Sequence, residues 1–111
     1  MSNQKVITTH LLDTGYFVRC ESRIRNLEQK LNVPRDIAIN FQNDVTIQIL
    51  KSVAAYSVSK VENAKDNFCE KIPDLIQTHF GITDDGTAEY KFLRIMCIGT
   101  IDDMQEVLGV N

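Results

Sequence analysis

Residues 44–71 read DVTIQILKSVAAYSVSKVENAKDNFCEK, a stretch with neither glycine nor proline. The fold turns on whether it is coiled or extended. Asn43 or Asp44 offers a side-chain oxygen to the free amides of a first helical turn, and nothing before Pro73 ends a helix. In the first half the apolar positions cover about 220° of the circumference, and in the second they narrow to Val61, Ala64, Phe68 and Ile72. The reading is one long central helix, which over residues 44–71 would span about 42 Å at 1.5 Å per residue. A compact chain of this length is only about 34 Å across, from an expected radius of gyration of roughly 13 Å. The helix therefore either breaks at the weak formers Ser57-Val58-Ser59 or protrudes and covers its broad apolar end, Val45 to Tyr56, against another subunit. The breadth of that surface favours the second and predicts a homo-oligomer. Residues 36–50 also support an extended reading, because Ile37, Ile39 and Phe41, then Val45, Ile47 and Ile49, alternate about Gln42-Asn43-Asp44. A hairpin there would make the fold α+β.

Towards the N-terminus, Phe17, Cys20, Ile24, Leu27 and Leu31 recur at spacings of three and four, the seam of an amphipathic helix over 16–32. Asn32-Val33-Pro34 stops it, since the residue before a proline is pushed out of the α region. Arg19, Arg23 and Lys30 lie within about 40° of one another beside that seam. Towards the C-terminus, Pro73 suits the first position of a short helix over 73–80, with Gly81 as its left-handed cap. Thr83 to Thr87 read as a turn. Ala88, Phe92, Ile95 and Met96 mark a helix closed by Gly99, and Thr100 caps a last one through Met104, Val107 and Leu108. The prediction is an all-α bundle of about five helices in one domain, residues 1–111.

Composition agrees with a single globular core: 43% of 111 residues are apolar, 24% are charged, and tryptophan is absent. The net charge is −3, but residues 1–60 carry eight basic and five acidic side chains, whereas 61–111 carry four and ten. That asymmetry argues against a nucleic-acid-binding surface over the whole molecule and suits a protein partner of opposite sign. The longest apolar runs, Val53 to Tyr56 and Ile95 to Ile98, fall far short of the roughly 20 residues of a membrane span. Met1 to Lys5 carry no signal or lipidation pattern, and Cys20, Cys69 and Cys97 are too few and too scattered for a disulfide framework. The expected location is cytoplasmic.

The chemistry-bearing residues are sparse. His10, His79 and the three cysteines are the only soft ligands, and no C-x-x-C or H-x-x-x-H spacing brings them together, so no metal or cofactor is expected. A Cys69/His79 nucleophile pair lacks an orienting third group. The run from Gly81 to Phe92 superficially resembles the back of an EF-hand loop, but Gly81 and Thr83 stand where carboxylates are required. Residues 73–98 imitate a helix-turn-helix, yet Asp84, Asp85 and Glu89 in the would-be reading segment repel phosphate. With catalytic motifs missing, the expectation is a non-enzymatic helical interaction protein: a regulator, inhibitor, adaptor or assembly subunit. The alternative is a nucleic-acid-binding regulator. The predicted partner contacts are Val45, Ile49, Tyr56 and Lys60 on the long helix, and separately Arg19, Arg23 and Lys30.

Overall fold

The computed structural model describes residues 16–54 and 61–107, and these described residues form an all-α bundle of four helices. They are α1 (Tyr16–Leu31), α2 (Arg35–Ala54), α3 (Val61–Phe80) and α4 (Ala88–Val107). The predicted α1 forms over its expected range. Tyr16, Cys20, Ile24 and Leu27 are buried along one side of it, the i, i+4 geometry that lets a helix cover one stripe of core. Asn32 ends it in the left-handed region, at φ 52°, a conformation that asparagine tolerates better than any branched residue. The Pro34 carbonyl then accepts the Ala38 amide at 3.3 Å, opening α2.

The hairpin over 36–50 does not form, because those residues lie inside α2. Nor is there one long rod. Asp44 on α2 hydrogen-bonds His79 on α3 at 2.8 Å across 35 positions, which would lie about 52 Å apart on a continuous helix. Ser52 likewise meets Asn67 at 2.9 Å, so α3 runs antiparallel along α2, their most extensive pairing. In the described part of the broad apolar girdle, Val45, Ile49, Leu50 and Val53 are buried by this chain's own helices, α2 packing against α1, α3 and α4, while Ile47 stays exposed. Val45 and Ile49 are therefore not available for a subunit contact. A Cα radius of gyration of 13.7 Å matches the value of roughly 13 Å for a compact chain of this length.

Two predicted boundaries are also corrected, which leaves four helices where about five were expected. Pro73 lies inside α3. Its missing amide and ring normally cost a helix interior about 3 kcal/mol, but Pro73 sits on the exposed side while Phe68, Ile72, Leu75 and Ile76 bury the other. Gly99 and Thr100 lie inside α4. Thr100 is fully buried, and its hydroxyl donates back to the Met96 carbonyl at 2.7 Å instead of capping a new helix. Gly81, by contrast, does cap α3 as predicted, at φ 68° with its amide on the Gln77 carbonyl at 2.9 Å. Thr87 caps α4, its hydroxyl accepting the Tyr90 amide at 3.2 Å.

The Gly99 correction carries a stability test. A Cβ built at Gly99 approaches Arg23 at 3.8 Å, ordinary van der Waals distance. Gly99→Ala should therefore raise stability by about 0.5–1 kcal/mol, the helix-interior difference between the two residues. A chemical-denaturation midpoint moving upward at constant slope is the expected result; a drop would mean that α4 bends there.

Candidate functional site

Along one edge of the α2–α3 pair lies a shallow groove of about 240 Å³, lined by Asp44 and Gln48 from α2 and by Lys71, Asp74, Leu75 and Thr78 from α3. Its position follows from helical spacing. On α3, Asn67, Lys71, Asp74 and Thr78 recur at four, three and four and fall within about 60° of one line, next to the apolar stripe that faces the core. On α2, Asp44, Gln48 and Ser52 recur every four residues opposite them. Leu75 supplies an apolar floor, and the walls carry both signs of charge.

The two ends of the groove are held differently. At one end Asp44 accepts from His79 at 2.8 Å and from Gln48 at 3.3 Å. The His79 ring meets Phe41 edge-on at a centroid distance of 5.5 Å, and Phe41 meets Phe80 at 5.0 Å. At the other end Ser52 donates to Asn67 at 2.9 Å and receives Lys71 at 3.4 Å. Partial burial would raise the Asp44 carboxyl, but the hydrogen bonds from His79 and Gln48, with the charges of His79 and Lys51, outweigh it and hold the group below its ordinary value of 3.8.

A carboxyl depressed in the folded state stabilises the fold above its unfolded pKa, and the benefit disappears as pH falls through the folded value. Wild type should therefore be more stable than Asp44→Asn at neutral pH, with the difference shrinking as pH falls below about 3.8. Parallel urea titrations from neutral to acid check this. A gap that persists unchanged at low pH would assign the loss to packing.

The predicted site residues scatter. Val45 and Ile49 are 0% exposed, so these two are corrected from partner contacts to core: the same breadth of apolar surface that suggested an interface is what a helix touching three neighbours requires. Tyr56 and Lys60 lie outside the described residues. Arg19 and Arg23 are engaged by α4, Arg19 with Asp103 at 3.4 Å and Glu106 at 3.6 Å, and Arg23 with Asp103. The acidic partner anticipated for that stripe is thus supplied, at these two arginines, by the chain itself. Lys30 is exposed.

The Cys69/His79 pair is not assembled, since ten positions on one helix separate its members by about 15 Å and His79 faces Asp44. Burial pushes the Cys69 thiol up from its ordinary value and the Cys97 thiol up to about 12, the opposite of an activated nucleophile. Among the described residues no group of three or more His, Cys, Asp or Glu is arranged to hold a metal, and no helix is long and apolar enough to cross a membrane. The groove was not legible in the sequence because Asp44 to Lys71 read as one rod and Asp74, Leu75 and Thr78 as part of a separate short helix; the four-three-four spacing of Asn67, Lys71, Asp74 and Thr78 was the available signal.

No protein-family model matches this chain, and neither the curated proteins nor the solved structures contain a match to it.

Proposed function

We propose that this chain is a non-enzymatic helical interaction protein, a regulator, inhibitor, adaptor or assembly subunit, that binds a protein partner along the α2–α3 groove. The observation that carries this reading is the make-up of the groove: shallow, polar at its rim, apolar at Leu75, and bearing Asp44, Asp74 and Lys71 together. Such a mixed, open surface suits side chains of another protein, whereas small-molecule sites are enclosed and mostly apolar. His79, the one described histidine, spends its Nε2 on Asp44 and lies edge-on to Phe41, an arrangement that fastens α3 to α2. A cytoplasmic location belongs to the same reading and is supported by three cysteines that are all free.

The helix-turn-helix alternative loses support. Its first helix is the end of a continuous α3. Residues 81–87 separate α3 from α4, where a helix-turn-helix uses a turn of about 3–4 residues. Asp84, Asp85 and Glu89 still front the segment.

The test is co-purification with tagged chain from native extract, comparing wild type with Gln48→Arg and Thr78→Arg, which place bulk and charge in the groove, and with Arg25→Glu on the exposed side of α1. A protein recovered with wild type and Arg25→Glu but lost with both groove variants supports the reading. One recovered equally with all four places the contact elsewhere.

A further inference from the structure

We propose that the α2–α3 face is self-complementary and that its occupant is a second copy of this chain, docked with its helices reversed about a two-fold axis crossing α2 and α3 near mid-length. This rests on the interaction reading above and names the partner for that same groove.

The fold leaves some charges on this face uncommitted. Arg19, Arg23, Arg35 and Lys65 all have carboxylate partners within the chain. Among the described residues, Lys71 and Asp74 close no ion pair, Lys71 making only its 3.4 Å contact with Ser52, while the charge of Lys51 reaches Asp44 of its own chain without closing an ion pair. Lys71 and Asp74 are neighbours on the groove stripe of α3. A two-fold axis passing between them brings Lys71 of one copy opposite Asp74 of the other, twice, and Asn67 opposite Thr78, twice. No like charges meet on that stripe.

The second helix makes the same demand. Asp44, Ile47, Gln48 and Lys51 occupy the outward arc of α2, within roughly 100°. A two-fold axis between Ile47 and Gln48 sets Asp44 of one copy opposite Lys51 of the other, again twice. Ile47, 44% exposed in the single chain, then lies at the centre against its own counterpart, an apolar core inside a charged rim. The two axes coincide. The Asp44–His79, Ser52–Asn67 and Ser52–Lys71 contacts fix the antiparallel register of α2 on α3. In that register the two midpoints lie within about 3 Å along the helices, at 1.5 Å per residue. An isologous dimer needs one surface that pairs with itself under a single rotation, and both helices supply it.

The expected strength follows from size. Two helices about 30 Å long and some 9 Å apart present roughly 600 Å² per copy, or about 1,200 Å² in all, the low end for specific association. The dimer should form in the micromolar range and weaken with salt, because its ion pairs are exposed.

Sedimentation equilibrium on the full chain at low ionic strength tests this. From about 5 to about 500 µM, the mass should rise from that of one 12.6 kDa chain towards twice that value. Lys71→Glu and Asp74→Lys should each weaken association about tenfold or more, since each puts like charges at both junctions. An equimolar mixture of the two variants should recover it, because every junction then again joins an acid to a base. Both sites are at the surface, and unchanged helical circular dichroism confirms that each variant folds. A one-chain mass throughout, a dimer indifferent to both substitutions, or a mixture that fails to recover would each overturn the second-copy occupant. A heterologous partner in the groove would survive those results, and the co-purification with Gln48→Arg and Thr78→Arg judges it separately.

Discussion

Phe41→Ala is expected to lower stability by about 3–5 kcal/mol, the cost of truncating a fully buried phenylalanine and leaving a cavity. Phe41 has no exposed surface, and its ring is the wedge between the start of α2 and the end of α3, edge-on to both His79 and Phe80. Each such ring pair adds about 0.5–1.5 kcal/mol beyond the area it buries, which puts the loss towards the upper end of the range. A domain of this size has about 5–15 kcal/mol in total, so the variant would hold a fraction of the original stability and melt at least 10 °C lower by the usual scaling of roughly 4–8 °C per kcal/mol. Phe41→Leu keeps most of the volume and should lose much less. Urea unfolding of the two variants against wild type measures both. Equal losses would mean that the ring contacts contribute little and that aliphatic volume alone holds this end. If the larger loss is confined to Phe41→Ala, the groove should suffer with it, since Asp44 and His79 face each other only while α2 and α3 stay packed.

How much of this was readable in the sequence depends on how many neighbours each helix has. On α1 the apolar seam is narrow, because that helix covers one side of the core, and the spacing of Cys20, Ile24 and Leu27 carries its own answer. On α2, burial extends around half the circumference. Ile37, Ile39, Phe41, Val45, Ile47 and Ile49 then look like an alternating strand, although Phe41, Val45 and Ile49 are buried and Ile47 faces outward. Local punctuation failed in both directions for a related reason. Pro73 and Gly99 read as boundaries, but packing of Ile72, Leu75 and Ile76, and of Met96, Cys97 and Ile101, overrides a local penalty of about 1–3 kcal/mol. Between α2 and α3 the sequence has no glycine or proline to announce a reversal, so only long-range contacts reveal it. The groove depends on that reversal. Its walls are assembled from residues some 20–35 positions apart, and no spacing rule within one helix reports a neighbour on the next.

The second large effect lies at the α1–α4 seam. Asp103→Ala should cost about 2–3 kcal/mol, more than Arg23→Met, because what matters is which group is left without a partner. The Arg23 side chain is 13% exposed and that of Asp103 is 23% exposed. The guanidinium donates to Asp103 and, at 3.1 Å, to the Gly99 carbonyl, while its Nη1 is buried with no partner at all. Removing Asp103 strands a nearly enclosed positive charge on one carbonyl, and breaking a buried pair this way costs about 3–5 kcal/mol before allowance for the solvent that still reaches Asp103. Removing Arg23 leaves a carboxylate that keeps Arg19 at 3.4 Å and a share of water, so about 1 kcal/mol is expected there. Replacing both together, Arg23→Met with Asp103→Leu, should recover most of the loss, because an apolar pair of similar volume avoids the desolvation that the ion pair only offsets. A double-mutant cycle of Arg23→Met, Asp103→Leu and the two together, read by urea unfolding, decides it: a strongly favourable coupling between the two replacements is the expected outcome. Simple additivity would instead show that water reaches Arg23 freely and that the seam is looser than its burial implies.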